Sequence, residues 1–504
     1  MNSSTLLRSA LALTLAALAG CATLDVYQAE PARSHRAEEP ASQAGACVAL
    51  LEAIDRVVDA NEVRDALASR IAGFPYLRAS RFLAGFADEP LSETAFDAWV
   101  ARLRRLDDEA RSVELANLPR TSREALLGML PEQFRADPLA GTRECAKRLE
   151  SADLLEDAGR RRLRAAATVP PDYETWKRVV GLYPLTRIVF ARGVRRYEAE
   201  TLETFASEQP PLGRRVRYAP ARTKPPSPAE VAAILSRAGG DPLGAPEPAE
   251  SELASLFAAY APEFEVDEAD ENDRIGALGY GADGLLRVDT AAPTVYVRLA
   301  YTRFAGRVLP QLVYSVWFPS RPLESPGDLL GGFLDSLVWR VTLEEDGAPL
   351  VFDTMHSCGC YHQFVPTAAV SKRPQPDTID ETLFAPQSLG HVRATDRILL
   401  RVASRTHYLQ RVIVNPLEAG EPHRYAFSPD DTLRSLPAGE GRRSAFGADG
   451  IVPGSERAER VYFWHMGIRE PGAMRQWGRH ATAFIGVRHF DDPDLFERYF
   501  RRVE

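Results

Sequence analysis

The chain has 504 residues, too many for one ordinary hydrophobic core and enough for two. With 45% hydrophobic and 26% charged residues it reads as globular. A net charge of -9 excludes a general polyanion partner, because nucleic-acid binders carry a basic face, and no basic stretch interleaved with aromatics offsets that balance.

The first residues read as a targeting segment. Arg8 and the free amine precede a short apolar run from Ser9 to Ala19, below the roughly 20 residues needed to span a bilayer. The run ends in Leu18, Ala19, Gly20 and Cys21, which resembles the lipobox of a bacterial lipoprotein precursor. The resemblance implies a signal peptide over residues 1–20, cleavage before Cys21, and lipidation of Cys21 by a diacylglyceryl thioether and an amide-linked acyl chain. Ala22, where an Asp favours the inner membrane in such precursors, implies the periplasmic face of the outer membrane. The expected partner is therefore the membrane, through the anchor, with envelope proteins beside it. Residues 21–44 are rich in Ala, Glu, Pro and Ser without apolar periodicity, which suggests a flexible tether.

From Cys47 the periodicity becomes helical, with Leu50, Leu51, Ile54, Val57 and Val58 on one face. Ser92 is a plausible N-cap for a helix whose stripe is Phe96, Trp99, Val100, Leu103 and Leu106. Further helices are expected over 143–167 and 172–206, the latter interrupted at Gly181-Leu182-Tyr183-Pro184. Residues 45–207 are thus expected to form an all-helical domain. Cys47 and Cys145 each open a helix, and a disulfide between them is the default in an oxidising compartment. Residues 208–250 carry nine prolines, with a short helix expected near Ala229 to Ala238, and read as a linker or wrapping segment.

Residues 251–504 switch to a period of two. Hairpins are expected from Val295 to Phe318 through Ala305-Gly306, from Leu337 to Met355 through Glu345-Asp346-Gly347, and over 396–414. A strand is expected over 460–466 and a terminal helix after Asp492-Pro493. The fold class is α+β: a helical domain, then an antiparallel strand-rich domain with a C-terminal helix.

Eight of the nine histidines lie between His356 and His489, and donors concentrate in His356-Ser357-Cys358-Gly359-Cys360-Tyr361-His362. Thiolate and imidazole suit zinc or copper, so His356, Cys358, Cys360 and His362 are candidate metal ligands, with His465, His480 and His489 as distal ones. An extended strand separates residues six apart by about 20 Å, so Gly359 must bend the chain for a shared site. A disulfide of Cys358 or Cys360, or a thiol nucleophile, competes with that reading. Arg475, Arg479 and Arg488 are candidates for holding an anion. No glycine-rich phosphate loop follows a strand, so no nucleotide cofactor is expected. Two classes of function follow: a structural or assembly lipoprotein with a transition-metal site, or a metal-dependent hydrolase acting on an anionic envelope substrate.

Overall fold

The computed structural model describes residues 42–221, 226–417 and 420–503. Cys21, the signal segment and nearly all of the tether lie outside the described residues.

Helix α1 (Gln43–Ala60) starts at Ser42, whose hydroxyl accepts from the Gly45 amide. A hairpin follows, β1 (Ser69–Ile71) and β2 (Phe74–Ala79), turning at Gly73 with φ +78°. Next come α2 (Glu93–Asn117), capped by Ser92 as expected, α3 (Arg120–Met129), α4 (Pro138–Asp153) and α5 (Asp157–Ala166). Their core joins Leu50, Ile54, Trp99, Leu103 and Leu149, and Cys47 and Cys145 are disulfide-bonded across α1 and α4. The domain is not all-helical. The hairpin escaped notice because its strands are short and interrupted by Pro75. Its inward Arg78 broke the apolar alternation, yet it is buried by bidentate pairing with Glu114 (2.9 and 2.8 Å) and a bond to Asp107 (3.1 Å).

This core draws on the chain up to Val169 and on Leu243 and Val308 beyond it. Helices α6 (Thr175–Val180) and α7 (Tyr183–Ala206) instead pack on the second half of the chain. They break at Leu182, which has φ +50°, where the sequence placed the interruption. Phe190 meets Phe463 and Phe484 at 4.9 Å each, and Phe205 enters the main sheet's core.

The main sheet has ten strands: β3 (Arg214–Pro220), β4 (Glu263–Glu268), β5 (Thr294–Phe304), β6 (Arg307–Arg321), β7 (Gly332–Leu343), β8 (Pro349–His356), β9 (Gln363–Pro366), β10 (Ile398–Val402), β11 (Leu409–Val414) and β12 (His423–Pro429). Their order is β9-β8-β7-β6-β5-β12-β3-β4-β10-β11. The three expected hairpins are present, with Gly306 and Gly347 at positive φ in the first two turns. The sheet is mixed, however: β12 runs parallel to both β3 and β5, and β10 parallel to β4. Residues 208–250 are more than a linker, since β3 lies inside the sheet with Val216 and Tyr218 buried. Helices α8 (Pro228–Ala238) and α9 (Glu250–Ala259) cover one sheet face, burying Val231, Leu235, Leu256 and Phe257 against Leu312, Tyr314 and Trp339.

The other face, including Val313, Val338 and Met355, lies under Phe490 and Trp477 of the C-terminal segment. That segment is largely irregular. Residues 460–466, expected as a strand, form a helical turn and a 3-10 turn, and the terminal helix Leu495–Tyr499 is five residues long. Buried ion pairs tie the segment to the N-terminal body: Arg434 pairs with Asp65 (2.8 Å) and Arg81 with Asp491 (3.3 Å).

Candidate functional site

The donor-rich stretch is a tight reversal between β8 and β9. The His356 amide donates to the Cys360 carbonyl (3.0 Å) and the Gly359 amide to the His356 carbonyl (2.8 Å). Gly359 bends the chain at φ +90°, a conformation that costs a side chain dearly, and Tyr361 follows at φ +63°. A Cβ on Gly359 would stand 2.2 Å from the Ala481 carbonyl oxygen, so glycine also admits the C-terminal segment.

The bend divides the four donors. His356 Nδ1 lies 3.1 Å from Asp335 Oδ1, whereas His362 Nε2 lies 3.0 Å from Asp353 Oδ2, whose carboxylate also grips Arg340 (2.8 and 2.5 Å). Burial depresses His362 to about 4. Cys358 and Cys360 are free thiols drawn together, with the Cys360 amide 3.3 Å from Cys358 Sγ. A hydrogen bond to Cys358 and burial hold the Cys360 thiol well above its ordinary range. A thiol so protonated is a weak nucleophile. Among the described residues, no group of three or more His, Cys, Asp or Glu is disposed to hold a metal ion.

Beneath the turn runs a polar chain that sequence reasoning missed. Asp335, at the start of β7, receives His356 on one oxygen and His407 Nδ1 on the other (2.8 Å), and His407 Nε2 faces Asp273 at 3.4 Å. All four side chains are buried. Hydrogen bonds from both histidines outweigh burial and hold Asp335 well below the carboxylate range. His407 is raised because the two carboxylates overcome its burial. Its ring stacks on Phe318 at 3.9 Å, and its backbone has φ +52°, strain that the surrounding bonds must hold. The available signal was Asp335 itself, an acid set between the apolar pairs Phe333-Leu334 and Leu337-Val338.

The rim is made by Tyr361, Tyr408, Arg321 and Glu459. Arg321 donates to the Tyr408 hydroxyl (3.1 Å), and Tyr197 of α7 packs on both tyrosines. Glu459 is buried in the field of Arg321, Arg457 and Arg475, yet its burial dominates and raises its carboxyl to about 7.

The distal histidines disperse. His480 is held by the Arg475 and Ser357 carbonyls and is depressed to about 3 by burial, so it alone of the three touches the turn. His489 accepts from the Asp172 amide (3.1 Å), and His465 packs beside Gly181 at the α6–α7 elbow. The three arginines expected to hold an anion each donate to backbone carbonyls. Arg475 reaches Cys358 (3.2 Å), Arg479 reaches Ala66 (2.7 Å), and Arg488 reaches Thr382 (2.7 Å) and Thr482 (2.8 Å). Each irregular stretch buried here must satisfy its carbonyls, and a buried guanidinium supplies several donors at once.

Comparison with known protein families, with curated proteins and with solved structures returns no match.

Proposed function

We propose that the chain is a lipid-anchored envelope protein, held at the periplasmic face of the outer membrane, whose body serves as a structural or assembly factor. The observation that carries this reading is the commitment of the donor-rich turn to its own fold. Both of its imidazoles are bound to buried carboxylates, and the neighbouring arginines brace carbonyls. Polar groups paired in this way specify packing, although each imidazole is held through one nitrogen only and His356 Nε2 and His362 Nδ1 have no hydrogen-bond partner. Among the described residues no helix is long and apolar enough to cross a membrane; in this reading the attachment is at Cys21. Acyl chains on Cys21 would supply it, since several chains anchor stably where one gives only marginal binding. Cells fed a labelled fatty acid should label the wild-type chain and leave Cys21→Ser unlabelled; equal labelling of both would dismiss the anchor.

A second reading, a metal-dependent hydrolase acting on an anionic substrate, is favoured by one observation. The paired thiols Cys358 and Cys360 share the site with Glu459, whose carboxyl sits near neutrality, as a general base requires. In this reading zinc or copper binds the two thiols, which must release their protons. Elemental analysis of the purified chain beside a Cys358→Ser, Cys360→Ser variant tests it. One equivalent of metal lost in the variant would support it, and a metal-free wild type would remove it.

A further inference from the structure

Helix α7 carries two apolar faces. Its inner stripe, Phe190, Val194, Tyr197, Thr201 and Phe205, repeats at spacings of three and four and packs on the body. Its outer stripe begins with Leu185, Ile188 and Val189 and continues at the same spacings with Arg192, Arg195 and Arg196, the last of which pairs with Glu200 (2.8 Å). Leu185 and Val189 are 64% and 67% exposed. Upstream, Leu182 at the elbow and Trp176, Val179 and Val180 of α6 are exposed as well, and the adjoining turn Arg460–Phe463 adds Val461 and Tyr462. Single exposed apolar residues are ordinary, but a cluster of this size on one elbow marks an interaction surface.

The elbow is firmly seated, so this exposure is not a frayed end. Arg178 lies between the rings of Tyr173 and Tyr183 (4.5 and 4.4 Å) and donates to the Met466 carbonyl (2.8 Å). The Tyr183 hydroxyl accepts the Gly486 amide (2.7 Å), and Phe190 packs between Phe463 and Phe484. A rigid support thus presents large aliphatic side chains and Trp176 to solvent, with exposed arginines along the same helix.

We propose that the α6–α7 elbow docks on an anionic lipid surface, apolar residues entering the headgroup boundary and the arginines of α7 meeting phosphates. A helix with an apolar stripe followed by cations has the composition of an interfacial helix, whose apolar face sinks about 5–10 Å. Arginines near an anionic leaflet strengthen the attachment and make it salt-dependent. Exposed Arg192 and Arg195, continuing the apolar stripe, are complementary in charge to an anionic lipid surface, and a second copy of the chain is the alternative that the test separates. The surface stands whether or not Cys21 is acylated. If Cys21 is the anchor, the twenty residues between it and Ser42 reach at most about 70 Å, which keeps the body near the bilayer and raises its effective concentration there.

The test uses the full-length chain carrying Cys21→Ser, so that no acyl chain contributes, with vesicles of phosphatidylglycerol and phosphatidylcholine. Brominated acyl chains should quench part of the tryptophan emission, and that part should vanish in Trp176→Phe. Adding Leu185→Glu and Val189→Glu should lower vesicle partitioning about tenfold or more, with the circular dichroism spectrum and melting temperature kept, because both side chains face solvent. Raising salt from about 0.1 to 1 M should weaken binding of the parent more than of a chain also carrying Arg192→Gln and Arg195→Gln. The proposal is overturned if the elbow variant binds like its parent, since the apolar N-terminal segment alone would then account for binding. It is also overturned if Trp176 is not quenched, or if sedimentation shows a dimer that the elbow substitutions dissolve. Failure of acyl labelling at Cys21 would leave this test untouched.

Discussion

Replacing Asp335 by Asn removes one charge from the centre of the polar chain while keeping its shape. Asp335 is 1% exposed, binds the Nδ1 atoms of His356 and His407, and accepts the Ser336 amide (2.9 Å). Without the charge, His407 keeps only Asp273, at 3.4 Å. Removing one partner of a buried ionic group costs about 3–5 kcal/mol, a large share of the 5–15 kcal/mol typical of a folded domain. The pH dependence carries a sign. His407 is raised above its unfolded value of 6.5, so its contribution is complete below that value and is lost as pH rises through the folded value. The Asp335→Asn penalty should therefore be larger at pH 6 than at pH 9. Urea unfolding followed by tryptophan fluorescence at the two pH values measures it. A penalty below about 1 kcal/mol at pH 6, or an equal penalty at both, would refute the view that this chain is ionic and structural.

His480 is depressed from 6.5 to about 3, so the unfolded state takes up its proton first as pH falls, and stability drops below pH 6.5. Between pH 6.5 and 5 the wild type should lose about 2 kcal/mol more than His480→Gln; equal losses would contradict the burial argument. Glu459, raised to about 7, acts in the opposite sense over the same range and is common to both chains, so it cancels in the comparison. Cys145→Ser opens a loop of sequence separation 98, and urea titration should register a loss of up to about 4–5 kcal/mol; no loss would show that the link constrains little. Gly359→Ala should lower the melting temperature well below that of Gly284→Ala. Both positions have positive φ, but only the first drives its Cβ against the Ala481 carbonyl; similar melting temperatures would deny that close approach.

What the sequence disclosed and what it hid divide along physical lines. The hairpins around Gly306 and Gly347 were legible because alternation and turn chemistry agree locally, and the break at Leu182 because Pro184 cannot continue a ladder. Strand β3 was hidden: prolines flank it and arginines fill its outward positions, so only Val216 and Tyr218 betray a strand. Its pairing with β12, some 200 residues later, has no local trace. In the site, the bend at Gly359 was readable from the spacing of the donors. The partners were not, because Asp335, Asp353 and His407 arrive from other strands and loops, and charges buried in pairs look in sequence like surface residues. The carbonyl partners of Arg475, Arg479 and Arg488 were hidden for the same reason.

The proposal that the chain is an anchored envelope protein is tested most directly by the mass of its mature N-terminus. Intact and peptide mass spectrometry of the chain extracted from the membrane fraction should find residues 1–20 removed. Cys21 should carry a diacylglyceryl thioether and an amide-linked acyl chain. An N-terminus at any other residue, or a Cys21 without lipid, would contradict the account.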